Sequence, residues 1–159
     1  MKFFHNLDKY AKNIAVIDEN SNTFTYKDLL KSADELGKKI SNRETIFLLC
    51  KNSYEFIIGY VGLIRTKAVV FLINNSIKKN KLNYLINHYK PRYLLIPKEN
   101  GRPKIAIKEI FNLNNKFKLY KTKYKIKQKI YNQLAVLMTT SGSTGSPKFV
   151  RLSYLNLFL

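Results

Sequence analysis

The stretch 45-TIFLLCKNSYEFIIGYVGLIRTKAVVFLIN-74 decides the fold. Its two ends, near Thr45–Cys50 and 68-AVVFLI-73, are continuous apolar runs, typical of strands that are buried on both faces. Between them, Asn52 or Ser53 is a suitable N-cap for a helix from Tyr54 to about Thr66 with a broad apolar face. Strand, helix and strand in this order predict a right-handed crossover between two parallel strands.

The segment before this unit predicts a hairpin and a helix. Two short apolar runs, 14-IAVID-18 and 23-TFTY-26, flank a polar turn and indicate antiparallel strands. Thr25 and Asp28 have the spacing of a capping box. The helix that they would begin extends from about Tyr26 to Ile40 and has its apolar residues on one stripe.

The segment after the unit continues the alternation of helices and strands. A helix is predicted near Lys81–Tyr89, and strands are predicted at 92-RYLLIP-97 and 134-LAVLMT-139. Residues 98–115 are polar and irregular, without a clear element. We therefore predict an α/β fold, a mostly parallel sheet flanked by helices, in one domain over residues 1–159.

The net charge of +19 permits two interpretations. The densest basic run, 116-KFKLYKTKYKIKQK-129, alternates lysines with other residues, as in a strand with one solvated face. Lysines on an exposed sheet edge also discourage aggregation. We favour this interpretation over a nucleic-acid-binding surface, because readers of nucleic acids tend to use arginine. The alternating lysines are Lys121, Lys123, Lys125, Lys127 and Lys129.

Other features of the composition indicate a globular protein of the cytoplasm. The longest apolar run, 56-FIIGYVGLI-64, is far shorter than the roughly 20 residues of a membrane-spanning helix. The first residues have no apolar segment of a signal peptide. Cys50 is the single cysteine, and its place in an apolar run predicts a buried structural thiol rather than a nucleophile.

The stretch 139-TTSGSTGSPKFV-150 is the part of the sequence that indicates chemistry. It follows a predicted buried strand, and open α/β sheets bind ligands at the carboxyl ends of their strands. Gly142 and Gly145 permit backbone conformations in which successive N–H groups point at an anion. Six hydroxyls add donors, and Lys148 adds a positive charge that can follow a phosphate. The spacing differs from a Walker loop, and a flexible Ser/Gly linker is the simpler alternative.

This stretch resembles the phosphate-binding signature of the adenylate-forming superfamily, which contains acyl- and aryl-CoA synthetases, peptide-synthetase adenylation domains and luciferases. The resemblance extends, in order, over residues 24–40, 52–74 and 79–96. It continues after the loop, where 152-LSYLNL-157 resembles the beginning of the helix that follows the signature. We expect the AMP-binding fold of that superfamily, and this expectation rests on nearly the whole chain.

The resemblance implies an ATP-dependent ligase, with Mg²⁺ as the usual companion of ATP. Such enzymes join a carboxylate to AMP with release of pyrophosphate, and a thiol of CoA or of a carrier protein then takes the acyl group. Lys148 would be the catalytic residue, and Pro147 would stiffen the end of the loop. By the same resemblance, the nucleotide phosphates would be bound by seven residues of one loop, namely Thr140, Ser141, Gly142, Ser143, Thr144, Gly145 and Lys148.

The chain departs from the family at two positions and lacks later parts of its pattern. Phe149 stands where glycine is frequent, and Tyr154 stands where histidine is common. No carboxylate follows Glu109, so the expected ribose-binding aspartate is missing, as is the later catalytic lysine. We therefore expect an N-terminal part of a longer ligase, inactive alone. The alternatives are a small basic nucleic-acid-binding module and a non-catalytic anion-binding remnant.

Overall fold

The computed structural model describes residues 6–125, 130–139 and 149–157 of the chain. Short 3-10 turns precede the first strand and follow the fifth. The strands and helices of these residues are β1 (Ile14–Ile17), β2 (Thr23–Thr25), α1 (Tyr26–Gly37), β3 (Thr45–Cys50), α2 (Tyr54–Arg65), β4 (Val69–Asn74), α3 (Lys79–Tyr89), β5 (Tyr93–Pro97), β6 (Ala106–Leu113), β7 (Phe117–Thr122), β8 (Leu134–Thr139) and β9 (Phe149–Ser153).

A seven-stranded sheet in the order β6-β7-β5-β3-β4-β8-β9 forms the centre of the protein, and β1 and β2 form a separate hairpin. The four central strands, β5, β3, β4 and β8, are parallel. The strands at both margins pair in antiparallel fashion. The predicted α/β fold is confirmed, and its parallel pairing is confined to the central four strands.

The helices cover both faces of this sheet. Ile46 and Leu48 of β3 pack on the side of α1 and α2. Phe47 and Leu49 pack on the opposite side, against α3. Because neighbouring side chains of a strand point to opposite faces, a strand between two helix layers must be apolar at every position. This is why the apolar runs were reliable indicators of the central strands.

The predicted capping box at the start of α1 is confirmed. The Asp28 amide donates a hydrogen bond of 3.2 Å to the Thr25 side-chain oxygen. In return, the Thr25 amide donates a bond of 3.0 Å to the Asp28 carboxylate. The helix ends at Gly37, three residues before the predicted end.

Replacing Thr25 with alanine should lower the free energy of unfolding by about 1 kcal/mol, since one orphan N–H of the helix loses its acceptor. The hydrogen bonds from Thr25 also lower the pKa of Asp28. The contribution of the Asp28 carboxylate to the cap is therefore present above the ordinary aspartate pKa and is lost as the pH falls through the lowered value, whereas the bond to the Thr25 oxygen remains. Urea unfolding at neutral and acidic pH measures both effects, with Thr23→Ala as the control. Equal losses in the two variants at neutral pH would contradict the assignment.

The segment that we predicted to be irregular, residues 98–115, contains a long strand. β6 pairs along its length with β7. The turn between them contains Asn114 and Asn115, which have positive φ angles of 50° and 55°. Asparagine tolerates this left-handed region better than most residues, so 113-LNNKF-117 was a hairpin signal that we missed.

The lysine-rich strand is shorter than predicted and does not lie at an edge. β7 ends at Thr122, and it pairs with β5 on one side and with β6 on the other. The Thr122 hydroxyl is buried and donates a 2.6 Å hydrogen bond to the Pro91 carbonyl, which fixes the end of β7 beside β5. Lys127 and Lys129 of the alternation lie outside the described residues.

The predicted helix at Leu152 is also corrected. Leu152 and Ser153 belong to β9, whose hydrogen bonds with β8 outweigh the local helix signal. A turn begins only after Ser153, whose side-chain oxygen accepts a 3.1 Å hydrogen bond from the Asn156 amide. A turn stabilised by Ser153 and Asn156 thus follows directly behind an unpredicted strand.

Candidate functional site

The loop 140–148 joins two strands that pair with each other. Thr139 ends β8, Phe149 begins β9, and the two residues are cross-strand partners. The two anchors of the loop are therefore neighbours across the sheet. The predicted phosphate-binding residues all fall between these anchors and lie outside the described residues. Their role remains a prediction, and the strand before them begins and ends as predicted.

The anchor of the loop lies at the carboxyl ends of the parallel strands. β8 pairs with β4, which ends at Asn74, and β4 pairs with β3, which ends at Cys50. Cys50 and Asn74 are register partners, so these strands end at the same edge. This is the edge at which open α/β sheets bind ligands. The described strands thus place the loop where a ligand site is expected.

Two asparagines at the end of β4 were not recognised as site candidates. Asn74 accepts a 2.8 Å hydrogen bond from the Ser76 amide through its side-chain oxygen. The side-chain oxygen of Asn75 is buried and has no hydrogen-bond partner among the described residues. A buried acceptor of this kind calls for a donor, and hydroxyl and ammonium donors are abundant in loop 140–148. The signal was a pair of asparagines directly after a buried strand next to β8.

The end of the loop is fixed by an aromatic cluster. The ring of Phe149 contacts Phe71 of β4 and Tyr89 of α3, with centroid distances of 5.2 Å and 5.0 Å. Both contacts are edge-to-face at 82°, an arrangement that aromatic rings favour. Phe71, Tyr89 and Phe149 contact one another, and glycine at position 149 would remove one of these three rings. The departure of Phe149 from the family pattern thus anchors the loop to the α3 face of the sheet.

Tyr154, the second departure, lies at the other end of the β8–β9 hairpin. Its amide donates a 2.9 Å hydrogen bond to the Gln133 carbonyl, directly before β8. Its hydroxyl donates a 3.4 Å bond to the Ala68 carbonyl, directly before β4. Burial raises the pKa of Tyr154. The length of β8 separates this ring from the loop, so the tyrosine acts at the amino ends of the strands.

Cys50 is half-buried, which is less than the full burial that its apolar surroundings predicted. It lies at the end of β3, and burial raises its pKa to about 11. The thiolate is the reactive form of cysteine. At neutral pH the side chain is therefore a protonated, weakly nucleophilic group, and we assign it no chemical role.

Cys50 should react with iodoacetamide at pH 8 about 100-fold more slowly than cysteine in an unfolded peptide, because so little thiolate is present. The rate should rise roughly tenfold for each pH unit up to about pH 10. Mass spectrometry of the alkylated protein measures the rate, and the same chain in urea provides the control. Equal rates in the folded and unfolded chain would contradict the half-buried, protonated thiol.

Metal ions in proteins require a set of ligands that lie close together. Among the described residues, no group of three histidine, cysteine or acidic side chains could hold a metal ion. No carboxylate follows Glu109 in the sequence, although Mg²⁺ in proteins is usually bound by one or two carboxylates together with substrate phosphates. The described residues thus offer no carboxylate-based set of ligands for the Mg²⁺ that the resemblance implies. Within the described parts of the chain, no helix has the length and hydropathy that a membrane span requires.

Known proteins with similar sequences are ligases and synthetases. The chain is 21% identical to the oxalate–CoA ligase of Saccharomyces cerevisiae, and the match covers 97% of this chain and 38% of that protein. It is 24% identical to the D-alanine–D-alanyl carrier protein ligase of Staphylococcus aureus, over 94% of this chain and 31% of that protein. The chain thus spans a third to two fifths of the length of these relatives.

Solved structures show the same fold. The O-succinylbenzoate coenzyme A synthetase of Bacillus subtilis, in complex with AMP, superposes with a TM-score of 0.71 at 18% identity, over 97% of this chain and 42% of that one. An anthranilate–CoA ligase in complex with anthranoyl-AMP gives a TM-score of 0.70 at 19% identity, and the match covers 93% of this chain and 33% of that one. Residues 3–158 match the family described as AMP-binding enzyme. The chain therefore belongs to the AMP-binding enzyme family.

Proposed function

We propose that this chain supplies the triphosphate-binding loop of an ATP-dependent, carboxylate-activating ligase and is inactive alone. The observation that carries the proposal is the place of loop 140–148. A segment of glycines, hydroxyls and one lysine is attached at the carboxyl edge of the parallel strands, in a chain of the AMP-binding family. We further propose that residues 1–159 act as one partial AMP-binding domain.

In the proposed reaction, the loop binds and orients the phosphates of ATP. A carboxylate oxygen of the acid attacks the α-phosphate, the bond to the β-phosphate breaks, and pyrophosphate leaves with the electron pair. The acyl-adenylate then gives its acyl group to a thiol of CoA or a carrier protein, with release of AMP. The attacking acid is already ionised at neutral pH, so the first step needs position and charge neutralisation rather than a general base.

Each loop residue has a proposed part in this step. The hydroxyls of Thr140, Ser141, Ser143 and Thr144 would donate to phosphate oxygens, and the ammonium of Lys148 would neutralise charge on the leaving pyrophosphate. Each charge-assisted hydrogen bond contributes about 1.5–3 kcal/mol, so three or four can hold a triphosphate. Gly142 and Gly145 would permit the loop backbone to approach the anion.

The names of the relatives support this choice of substrates. They include a CoA ligase and a carrier protein ligase. CoA and a carrier protein are the two thiol acceptors that we propose. Mg²⁺ would then come to the loop bound to ATP rather than on a protein site. We propose the cytoplasm as the compartment, since ATP is abundant there and the free thiol of Cys50 stays reduced.

A pyrophosphate-exchange assay tests the proposal. The purified chain is incubated with ATP, Mg²⁺, labelled pyrophosphate and a broad set of carboxylic acids. We expect no exchange with any acid, together with saturable binding of ATP. Exchange above the background of a denatured sample would overturn the inactivity of the chain alone. Failure to bind ATP or tripolyphosphate would overturn the role of the loop.

A further inference from the structure

A cleft of about 510 Å³ lies between the β1–β2 hairpin and the first turn of α2. We call it the hairpin cleft. Its apolar walls are formed by residues from both elements, namely Val16, Ile17, Phe24, Phe56 and Ile57. The stacking of Phe24 on Tyr54, with ring centroids 3.7 Å apart, joins the hairpin to α2 at this place. None of these residues belongs to loop 140–148.

A buried carboxylate lines the hairpin cleft. Glu55 is only 3% exposed, although it is ionisable. One of its oxygens, Oε1, accepts a 3.2 Å hydrogen bond from the side-chain amide nitrogen of Asn114 and lies 3.8 Å from the Lys116 ammonium. The other oxygen, Oε2, is buried and has no hydrogen-bond partner among the described residues. A buried carboxylate oxygen without a donor is costly, so the site calls for a donor, and a cationic one would be bound most strongly.

The charge around the cleft is opposite to that of the whole chain. Three of the ten acidic residues, Asp18, Glu19 and Glu55, line it together with one base, Lys116. Asp18 is occupied by hydrogen bonds within the turn, from the amides of Asn20 and Asn22. Glu19 and Glu55 also act on the Lys51 ammonium, but the hydrogen bond of Lys51 goes to Glu99, so the two carboxylates remain able to attract a further cation. Lys116 is a weak internal competitor, because its side chain is 61% exposed and only approaches Glu55.

From these contacts we propose that the hairpin cleft binds a primary alkylammonium, with the ammonium group on Glu55 and the hydrocarbon body against Ile17, Phe24 and Ile57. The buried free oxygen selects a donor, the net negative lining selects a positive charge, and the apolar walls select a carbon chain. The lysine side chain has this chemistry, and so do free alkylamines. Anionic ligands such as nucleotides are repelled from the cleft by the same charges.

A titration followed by amide chemical shifts in NMR tests the proposal. The probes are n-hexylammonium, Nα-acetyl-lysine methylamide and hexanoate, which reverses the charge. We expect hexylammonium to shift the amides of Ile17, Phe24 and Phe56 with saturation, and hexanoate to leave them unchanged. A response to the lysine derivative with the same saturation would identify a peptide side chain as a sufficient ligand, and a response to hexylammonium alone would restrict the site to free amines. Absence of saturable shifts with either ammonium would overturn the proposal.

Variants with opposite expected effects make the test specific. Glu55→Gln should weaken the binding of hexylammonium about tenfold or more, as expected for the loss of one charged hydrogen bond. Lys116→Met should strengthen the binding of hexylammonium, because this variant removes the internal competitor for Glu55. Glu109→Gln, which changes the same charge on β6, is the control and should have no effect. If Glu55→Gln fails to fold, Glu19→Gln on the exposed turn replaces it. Equal weakening by Glu109→Gln and the cleft variant used would show an unspecific charge effect and would overturn the proposal.

Discussion

Replacing Gly62 with alanine should destabilise the protein by about 2 kcal/mol, although alanine is the better helix former. A Cβ atom at this position would lie 2.5 Å from the backbone oxygen of Ala33 and 3.2 Å from its carbonyl carbon. Here the backbones of α1 and α2 approach each other closely, and a backbone atom cannot rotate away. The overpacking therefore exceeds the gain in helix propensity of about 1 kcal/mol.

Gly59→Ala, in the same helix, is the matched control for Gly62→Ala. A Cβ there would meet side-chain methyl groups, Leu95 Cδ2 at 2.8 Å and Leu48 Cδ1 at 3.4 Å, which can move. We expect a clearly smaller loss, measured for both variants by urea unfolding followed by circular dichroism. A loss for Gly62→Ala equal to or smaller than that for Gly59→Ala would contradict the close contact of α1 and α2.

Replacing Lys148 with alanine should weaken the binding of tripolyphosphate by about 10- to 100-fold. The expected factor is that of one charge-assisted hydrogen bond to a phosphate, about 1.5–3 kcal/mol. Lys148→Arg keeps the charge with a different geometry and should recover part of the affinity. Isothermal titration calorimetry measures these affinities at one fixed ionic strength, because a net charge of +19 also attracts phosphates without specificity.

The control for Lys148 is Lys123→Ala, which removes the same charge from an exposed position just after β7. We expect this variant to bind tripolyphosphate almost as tightly as the unchanged chain. Similar losses in the two variants would mean that the whole basic surface binds the anion. In that case, loop 140–148 would have no special role.

The central strands could be predicted from sequence because burial on both faces makes their composition continuous and apolar. β3 and β8 begin and end at the predicted residues. The marginal strands β6 and β9 have no such composition. Most β6 residues are partly or fully exposed, and β9 has no fully buried residue. Their pairing depends on neighbours that are distant in sequence or across the loop, and single-segment patterns do not carry that information.

The lysine-rich segment also shows that a local sequence pattern does not reveal which strands pair. A strand was predicted here and one is present, but only Lys121 of the alternating lysines lies in β7, and alternation cannot tell an edge strand from an interior one. The position of β7 follows from β6, which pairs with it across the turn at Asn114 and Asn115. Once β6 had been missed, β7 was placed at the edge.

The candidate site was predictable in its chemistry and only partly in its surroundings. The loop was identified from the glycines, hydroxyls and Lys148, and the structure adds the anchors on either side of it. Phe149 could be recognised as a departure from the family, yet its contacts with Phe71 and Tyr89 depend on residues 60 or more positions away. Asn75 had no signal of its own beyond its place after a buried strand. Contacts across the fold supplied what the motif could not.

The most direct test of the triphosphate loop is a comparison of ATP, tripolyphosphate and AMP by amide chemical shifts in NMR. The account predicts that ATP and tripolyphosphate shift the amides of loop 140–148 and of its anchors Thr139 and Phe149, with saturation, and that AMP does so far more weakly. It would be contradicted if AMP shifted the same amides equally, or if the triphosphates shifted lysines across the surface and left the loop unchanged.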